Sequence, residues 1–180
     1  KARSQFENIK RVILNDMPAN GFDLSESILE PSFFCEKYGF QGRLDLLQTD
    51  SSASDVIRII ELKSGKAPFP QNDRTKISPN HEVQTAIYRL MIQTVFEKSS
   101  RQIYPTILYS SVNNNAENLR FAATLQKLEK EIINTRNLIV ATEHDIYTGQ
   151  NDQVKRVFDE LFDSNSYGVV PEFFSDKLLL

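Results

Sequence analysis

Apolar residues recur every three to four positions over residues 4–17, at Phe6, Ile9, Ile13 and Met17, and predict an opening helix with that stripe buried. Pro18 and the Asn20-Gly21 pair stop it. The period then shortens. Residues 25–30 predict a short strand closed by Pro31, a turn-rich stretch around Tyr38 and Gly39 follows, and residues 42–48 predict a second strand. Residues 49–55 are polar and suit a turn between paired strands. Residues 56–62 (V-I-R-I-I-E-L) carry the strongest strand pattern, because β-branched residues dominate. Residues 65–80 hold one Gly and three Pro and read as a long loop, the kind that often carries function. Helix two is expected over 80–98, with Asn80 as N-cap and Val83, Ile87, Leu90, Met91 and Val95 inward. A fourth strand is expected over 104–112 and a polar turn over 113–118. A long helix follows over 117–137, with Phe121, Leu125, Leu128 and Ile132 inward. The expected fold class is α/β: a mixed central sheet of about four strands flanked by helices, its first three strands folded as a meander.

Composition narrows the chemistry. The 180 residues suit a single domain with a sizeable core. They carry 21 basic and 24 acidic side chains, so the net charge of −3 excludes a strongly basic, histone-like binder. One cysteine, Cys35, excludes an internal disulfide and any zinc or iron–sulfur site built from this chain's thiolates alone. A reducing, intracellular compartment is expected. No apolar run approaches the roughly 20 residues that span a bilayer, so no membrane partner is expected. The chain starts at Lys1 rather than Met and reads as an excerpt of a longer protein. It lacks the phosphate-cradling G-x-x-x-x-G-K-(S/T) pattern, so ATP hydrolysis is not expected of this segment. Residues 143–163 form an acidic tail with six acids against two bases.

The informative stretch is 42–88. Asp45 stands on one expected strand and Glu61-Leu62-Lys63 ends the next. Alternation puts Glu61 and Lys63 on one face and Leu62 on the other. Two carboxylates converging at one sheet end, helped by a backbone carbonyl, make a hard-oxygen site suited to Mg²⁺ or Mn²⁺. A lysine beside them can orient water and stabilise charge developing on a phosphate. An isolated E-x-K carries no weight, since about 0.6 arise by chance in a chain of this length. Its company gives it meaning: it closes a very apolar strand, an acid precedes it, and a helix with Gln84 and Tyr88 follows.

Together these segments are specific. G-R-L-D-L-L at 42–47, I-I-E-L-K-S-G-K at 59–66 and H-E-V-Q-T-A-I-Y at 81–88 resemble the PD-(D/E)XK nucleases of the RecB-like branch, and within it the nuclease domain of replication helicase–nucleases. The resemblance is collinear over about 26–109 and extends to Arg136-Asn137. It implies a restriction-endonuclease-like core and one nuclease domain over 1–180. Asp45, Glu61 and the Leu62 carbonyl would be metal ligands, Lys63 the catalytic lysine, and Gln84 and Tyr88 neighbours that contact DNA or that lysine. Glu26 stands where the family has a glutamate, with Glu30 second, both on one strand face. The implied partners are single-stranded or flapped DNA and a helicase motor in the same polypeptide or complex. Two departures stand out. No His precedes His81, so the family's first-helix histidine is absent or replaced by Glu26. The four cysteines of an iron–sulfur cluster are missing, or lie outside the excerpt.

Other residues carry less. Arg43 and Lys66 are candidate phosphate contacts, as are Arg74 and Lys76; residues 55–76 hold five bases and three acids, which is as well explained by a solvated loop. His81 reads as a solvated helix start, with phosphate contact the sharper alternative. Tyr104 and Tyr109 read as packing groups, Phe33 and Phe34 as core with a wedge for single-stranded DNA as the alternative, and Cys35 as a loop residue without a histidine partner. Two rival readings are a catalytically silent DNA-binding module of the same fold and a site-specific endonuclease.

Overall fold

The computed structural model describes residues 2–49, 56–71, 73–96, 102–112, 118–123 and 125–148, and the single positions 152, 156 and 159. The expected turns at 50–55 and 113–117, the end of helix two past residue 96 and most of the acidic tail lie outside the described residues. The chain divides into two compact units, Lys1–Ile132 and Ile133–Leu180.

The first unit opens with helix α1 (Ala2–Arg11), a π-helical turn (Val12–Asp16) and a short α2 (Met17–Ala19). Asn8, Val12 and Met17 are buried; of the expected stripe Met17 is inward, Ile9 and Ile13 are half-buried, and Phe6 is 62% exposed. The π-turn explains the shift: it inserts a residue, so the inward spacing runs four and then five. Asn8 is buried because its Nδ2 donates to the Ser110 carbonyl at 2.9 Å. Arg11 donates from the next turn to Asn118 Oδ1 at 2.8 Å.

Among the described residues seven strands follow: β1 (Ser27–Leu29), β2 (Ser32–Cys35), β3 (Phe40–Arg43), β4 (Leu46–Thr49), β5 (Val56–Lys63), β6 (Gln102–Tyr109) and β7 (Leu119–Phe121). The central sheet has the order β1-β4-β5-β6-β7, with β5 and β6 parallel and the other pairs antiparallel. The expected meander is therefore present as β1, β4 and β5, and the sheet is mixed with five strands rather than about four. The extra strand is β7. Leu119–Phe121 pairs with Thr106–Leu108, where a helix start was expected, so Phe121 is exposed and α4 begins only at Gln126. Of the expected inward set Leu125 is also exposed, and Ile132 alone is fully buried.

The stretch before the site also departs from its local pattern. The turn-rich segment is a hairpin, β2 with β3, whose turn uses Gly39 at φ 65°. Cys35 lies on β2, 1% exposed in the core, because alternation turns it inward while Phe34 points to solvent. The expected strand over 42–48 is two strands: Arg43 ends β3, Leu46 starts β4, and Leu44 and Asp45 form the break. The expected strand over 25–30 is a 3₁₀ turn (Leu24–Glu26) followed by β1, so Glu26 and Glu30 do not share a strand face.

Helix α3 (Pro79–Val95) connects β5 to β6 as a crossover. Ser78, not Asn80, is its N-cap; the Ser78 carbonyl accepts from the His81 and Glu82 amides at 2.9 and 3.0 Å, and Pro79 takes the first helical position, where no donor is needed. Thr85, Tyr88, Leu90, Met91 and Ile92 are buried, whereas Val95 is 47% exposed. One core joins Tyr88, Met91 and Ile92 to Leu44, Leu47, Ile57 and Ile59. A second joins Val12, Met17 and Phe22 to Ile60, Leu108 and Leu119. The sheet thus has α3 on one face and the opening helix on the other, and odd-numbered β5 residues face α3. Glu129 near the start of α4 pairs with Arg89 of α3. In the second unit α4 continues to Tyr147, where Arg136 donates to Asn137 Oδ1 at 3.0 Å. Among the described residues no helix is long and apolar enough to cross a membrane.

Candidate active site

The site forms where β4 and β5 part. Antiparallel pairing places Leu46 opposite Ile60, but the ladder stops there, because the chain turns away at Asp45 to reach β3. Glu61, Leu62 and Lys63 therefore run past their β4 neighbour. The Asp45 side chain takes over where that strand's carbonyl would have been: its Oδ2 accepts from the Leu62 amide at 2.6 Å. Asp45 is thus tied to the end of β5 beside Glu61.

Glu61 and Lys63 share the face toward α3, as alternation requires, while Leu62 is 38% exposed on the other. The two oxygens of Glu61 differ sharply. Oε1 accepts from Lys63 Nζ at 2.8 Å and from Gln84 Nε2 at 2.7 Å. Oε2 is buried and has no hydrogen-bond partner. Burial raises the Glu61 pKa above the ordinary carboxylate value, the Asp45 charge pushes the same way, and the Lys63 contact opposes them. A buried carboxylate oxygen with no donor is costly. A hard divalent cation is the group that fits it, and the oxygens of Asp45 and Glu61 with the Leu62 carbonyl could hold one.

Gln84 fixes the network. Its Oε1 accepts from Lys63 Nζ at 2.7 Å, and its Nε2 donates to Glu61 and to the Tyr88 hydroxyl at 2.9 Å. Every polar atom of the amide is engaged, and a flipped amide would aim its NH₂ at the ammonium. Tyr88 Oη in turn donates to the Arg43 carbonyl at 3.0 Å; burial raises its pKa, so the hydroxyl stays protonated. Of the two readings of Gln84 and Tyr88, the geometry places them on the lysine and the β3 end rather than facing outward. Gly42 makes this possible. A Cβ there would lie 3.0 Å from the Tyr88 ring, which is buried and tethered by its hydroxyl. Gly42→Ala is expected to destabilise the fold by about 1 kcal/mol or more, read as a lower thermal midpoint.

The other expected site residues are not gathered here. Glu26 is exposed on the 3₁₀ turn, and Glu30 pairs with Arg43 at 3.4 Å on the surface. Among the described residues no group of three or more His, Cys, Asp or Glu is arranged to hold a metal. Arg43 is spread on the surface with Glu30, and Lys66 is exposed in the loop after β5.

His81 is not the solvated helix start that its position suggests. It is half-buried, its Nδ1 lies 2.9 Å from Tyr109 Oη, and the two rings meet tilted by 46° with centroids 5.6 Å apart. Burial, then the Lys63 charge, lowers its pKa. A histidine whose folded pKa is lowered contributes stability that is complete above the ordinary value near 6.5 and is lost as pH falls through the folded value. The thermal midpoint of His81→Asn is therefore expected to fall less than that of the unmodified chain between neutral pH and mildly acidic pH.

The family model of the PD-(D/E)XK nuclease superfamily matches residues 9–170, which include the Asp45, Glu61 and Lys63 positions. The chain belongs to that superfamily. The sheet and helices described above fit its restriction-endonuclease-like fold, and this is a nuclease-type domain. PD-(D/E)XK nucleases typically use divalent metals, in keeping with the bare oxygen of Glu61. No curated protein matches the chain.

Sequence reasoning missed Arg120 of β7. It is fully buried, lies 5.0 Å over the Tyr109 ring, and donates to the Gln71 carbonyl at 2.7 Å and to the Lys76 carbonyl. It holds the loop after β5 against the sheet. A lone arginine between Leu119 and Phe121 was the available signal, hidden because the segment was read as a helix start.

Proposed function

We propose that the domain is a divalent-metal-dependent deoxyribonuclease that hydrolyses phosphodiesters of single-stranded or flapped DNA in replication, repair or recombination. In this reading it is the nuclease part of a longer RecB-like helicase–nuclease, working with an ATP-driven motor. The observation that carries the reading is the buried, partnerless Oε2 of Glu61 next to Asp45. Mg²⁺ or Mn²⁺ held there would polarise a phosphate and lower the pKa of water. Lys63 uses two of its three N–H groups on Glu61 and Gln84, and directs the third at the incoming phosphate or the attacking water. Gln84, itself held by Tyr88, keeps the ammonium from turning away. The branch and the motor are supported by the order of the G-R-L-D, E-L-K-S-G-K and H-E-V-Q-T-A-I-Y segments.

The test is Mg²⁺- or Mn²⁺-dependent cutting of single-stranded DNA, with Asp45→Asn and Glu61→Gln as variants. Cutting is expected in the unmodified chain and not in either variant; equal cutting in all three rejects the assignment. One feature favours a second reading, a module that holds DNA without cutting it. The described residues supply two carboxylates to the site rather than three. DNA binding without Mn²⁺ binding at millimolar concentration would select that reading.

A further inference from the structure

The loop after β5 displays a side chain that neither the core nor the site uses. Phe69 is 91% exposed. Its neighbours on both sides are Pro68 and Pro70, whose rings fix φ and leave that backbone few alternatives. The loop is fastened along its length. Gln5 Nε2 donates to the Ser64 carbonyl at 2.8 Å, and Ser111 Oγ donates to the Gly65 carbonyl at 2.6 Å. Ala67 is buried in a cluster with Ile107, Tyr109 and Val112. Arg120 then holds the Gln71 and Lys76 carbonyls. The backbone is pinned before and after Phe69, while its ring is left in water.

The same loop offers three exposed cations, Lys66, Arg74 and Lys76. Its acid, Asp73, is occupied by the Thr75 amide and hydroxyl at 2.9 and 2.6 Å. Phe69 lies six positions after Lys63, a span of at most about 22 Å for extended chain. An exposed aromatic ring and cations carried on one loop, within a few nucleotides of the cleavage chemistry, make the combination that binds unpaired nucleic acid: bases stack on the ring and phosphates follow the charges. Duplex DNA keeps its base faces covered and cannot use such a ring.

We infer that Phe69 is a base-stacking residue that captures a single-stranded stretch of substrate beside the site, with Lys66, Arg74 and Lys76 along its backbone. The inference rests on the nuclease reading and adds to it the element that selects unpaired DNA.

The chain has no tryptophan, so Phe69→Trp creates a single fluorescent reporter at the proposed contact. The full chain, with chelator present to prevent cutting, is titrated with single-stranded oligothymidylate. Quenching of the Phe69→Trp emission is expected, with affinity close to that of the unmodified chain. Phe69→Ala should weaken single-strand binding roughly 5- to 150-fold, the range that the loss of one stacked base gives. Its affinity for a blunt duplex should change little. Equal thermal midpoints establish that both variants fold. Emission that does not change at saturating oligothymidylate, or equal single-strand affinity in Phe69→Ala, overturns the inference. If the unmodified chain still cuts DNA with Mg²⁺ in that case, the Phe69 assignment alone falls. If it neither binds nor cuts single-stranded DNA, the nuclease reading falls and takes the inference with it.

Discussion

Lys63→Met is expected to lower the single-turnover rate of DNA cleavage by roughly 10²- to 10³-fold, the usual cost of removing one preorganised group that stabilises developing charge. Methionine keeps the length and much of the volume of the lysine stem, so the face toward α3 stays filled. What disappears is the ammonium, and with it the 2.8 Å contact to Glu61 and the 2.7 Å contact to Gln84. Gln84 Nε2 still donates to the same Glu61 oxygen. The carboxyl, already pushed upward by burial, moves further in that direction and takes a proton more readily. The variant should therefore fold, as a thermal melt will check, while its cutting collapses. Lys63→Arg is a sharper control. Its planar fork keeps the charge but cannot place one nitrogen against both Glu61 and Gln84, so it too should be impaired. Cutting by Lys63→Met at the unmodified rate would remove the lysine from the chemistry.

The largest stability effect is expected at Arg120. Arg120→Leu should cost about 3 kcal/mol or more, since charged hydrogen bonds are worth about 1.5–3 kcal/mol each and two carbonyls lose their donor. The guanidinium is fully buried, and its cation–π contact with Tyr109 is lost as well. The effect should be visible locally before it is visible globally. With the Gln71 and Lys76 carbonyls released, trypsin should cut faster at Lys66, Arg74 and Lys76 at temperatures where the rest of the chain is folded. Arg120→Lys should fall between, keeping charge but losing the fork. An unchanged midpoint with unchanged proteolysis would contradict this view of the loop.

Much of the sheet was legible because its signals were local. Residues 56–62 are rich in β-branched side chains, and β5 matches that pattern over its whole length, whereas β6 runs Gln102–Tyr109 rather than 104–112. Alternation alone put Glu61 and Lys63 on one face, and helical spacing put Gln84 and Tyr88 on one face of α3; that this helix face meets the site was what the resemblance implied. The errors share a cause: a tertiary partner overrode a local pattern. Leu119–Phe121 looked helical because its apolar residues continue the spacing of α4, yet the open edge of β6 captured them as β7. The Phe6 stripe lost to Asn8 because a buried carbonyl at Ser110 needed a donor. The break at Leu44 and Asp45 was invisible, since no Gly or Pro marks it; it exists because β3 must leave the sheet and pair with β2. That break is what frees Asp45 to reach the Leu62 amide. Asp45, Glu61, Lys63, Gln84 and Tyr88 were thus legible as a group, whereas Glu26, Arg43 and Lys66 do not join them, and the geometry was not legible at all. Gly42 was read only as part of a motif, and its reason, the close approach of Tyr88, appears only in three dimensions.

In the proposed function Asp45 and Glu61 jointly hold one divalent cation. Calorimetric titration of the full chain with Mn²⁺, without DNA, measures this directly. One Mn²⁺ bound by the unmodified chain, with heat lost or affinity lowered at least about tenfold in both Asp45→Asn and Glu61→Gln, is the expected result. Mn²⁺ binding of equal strength in the unmodified chain and both variants would contradict the account.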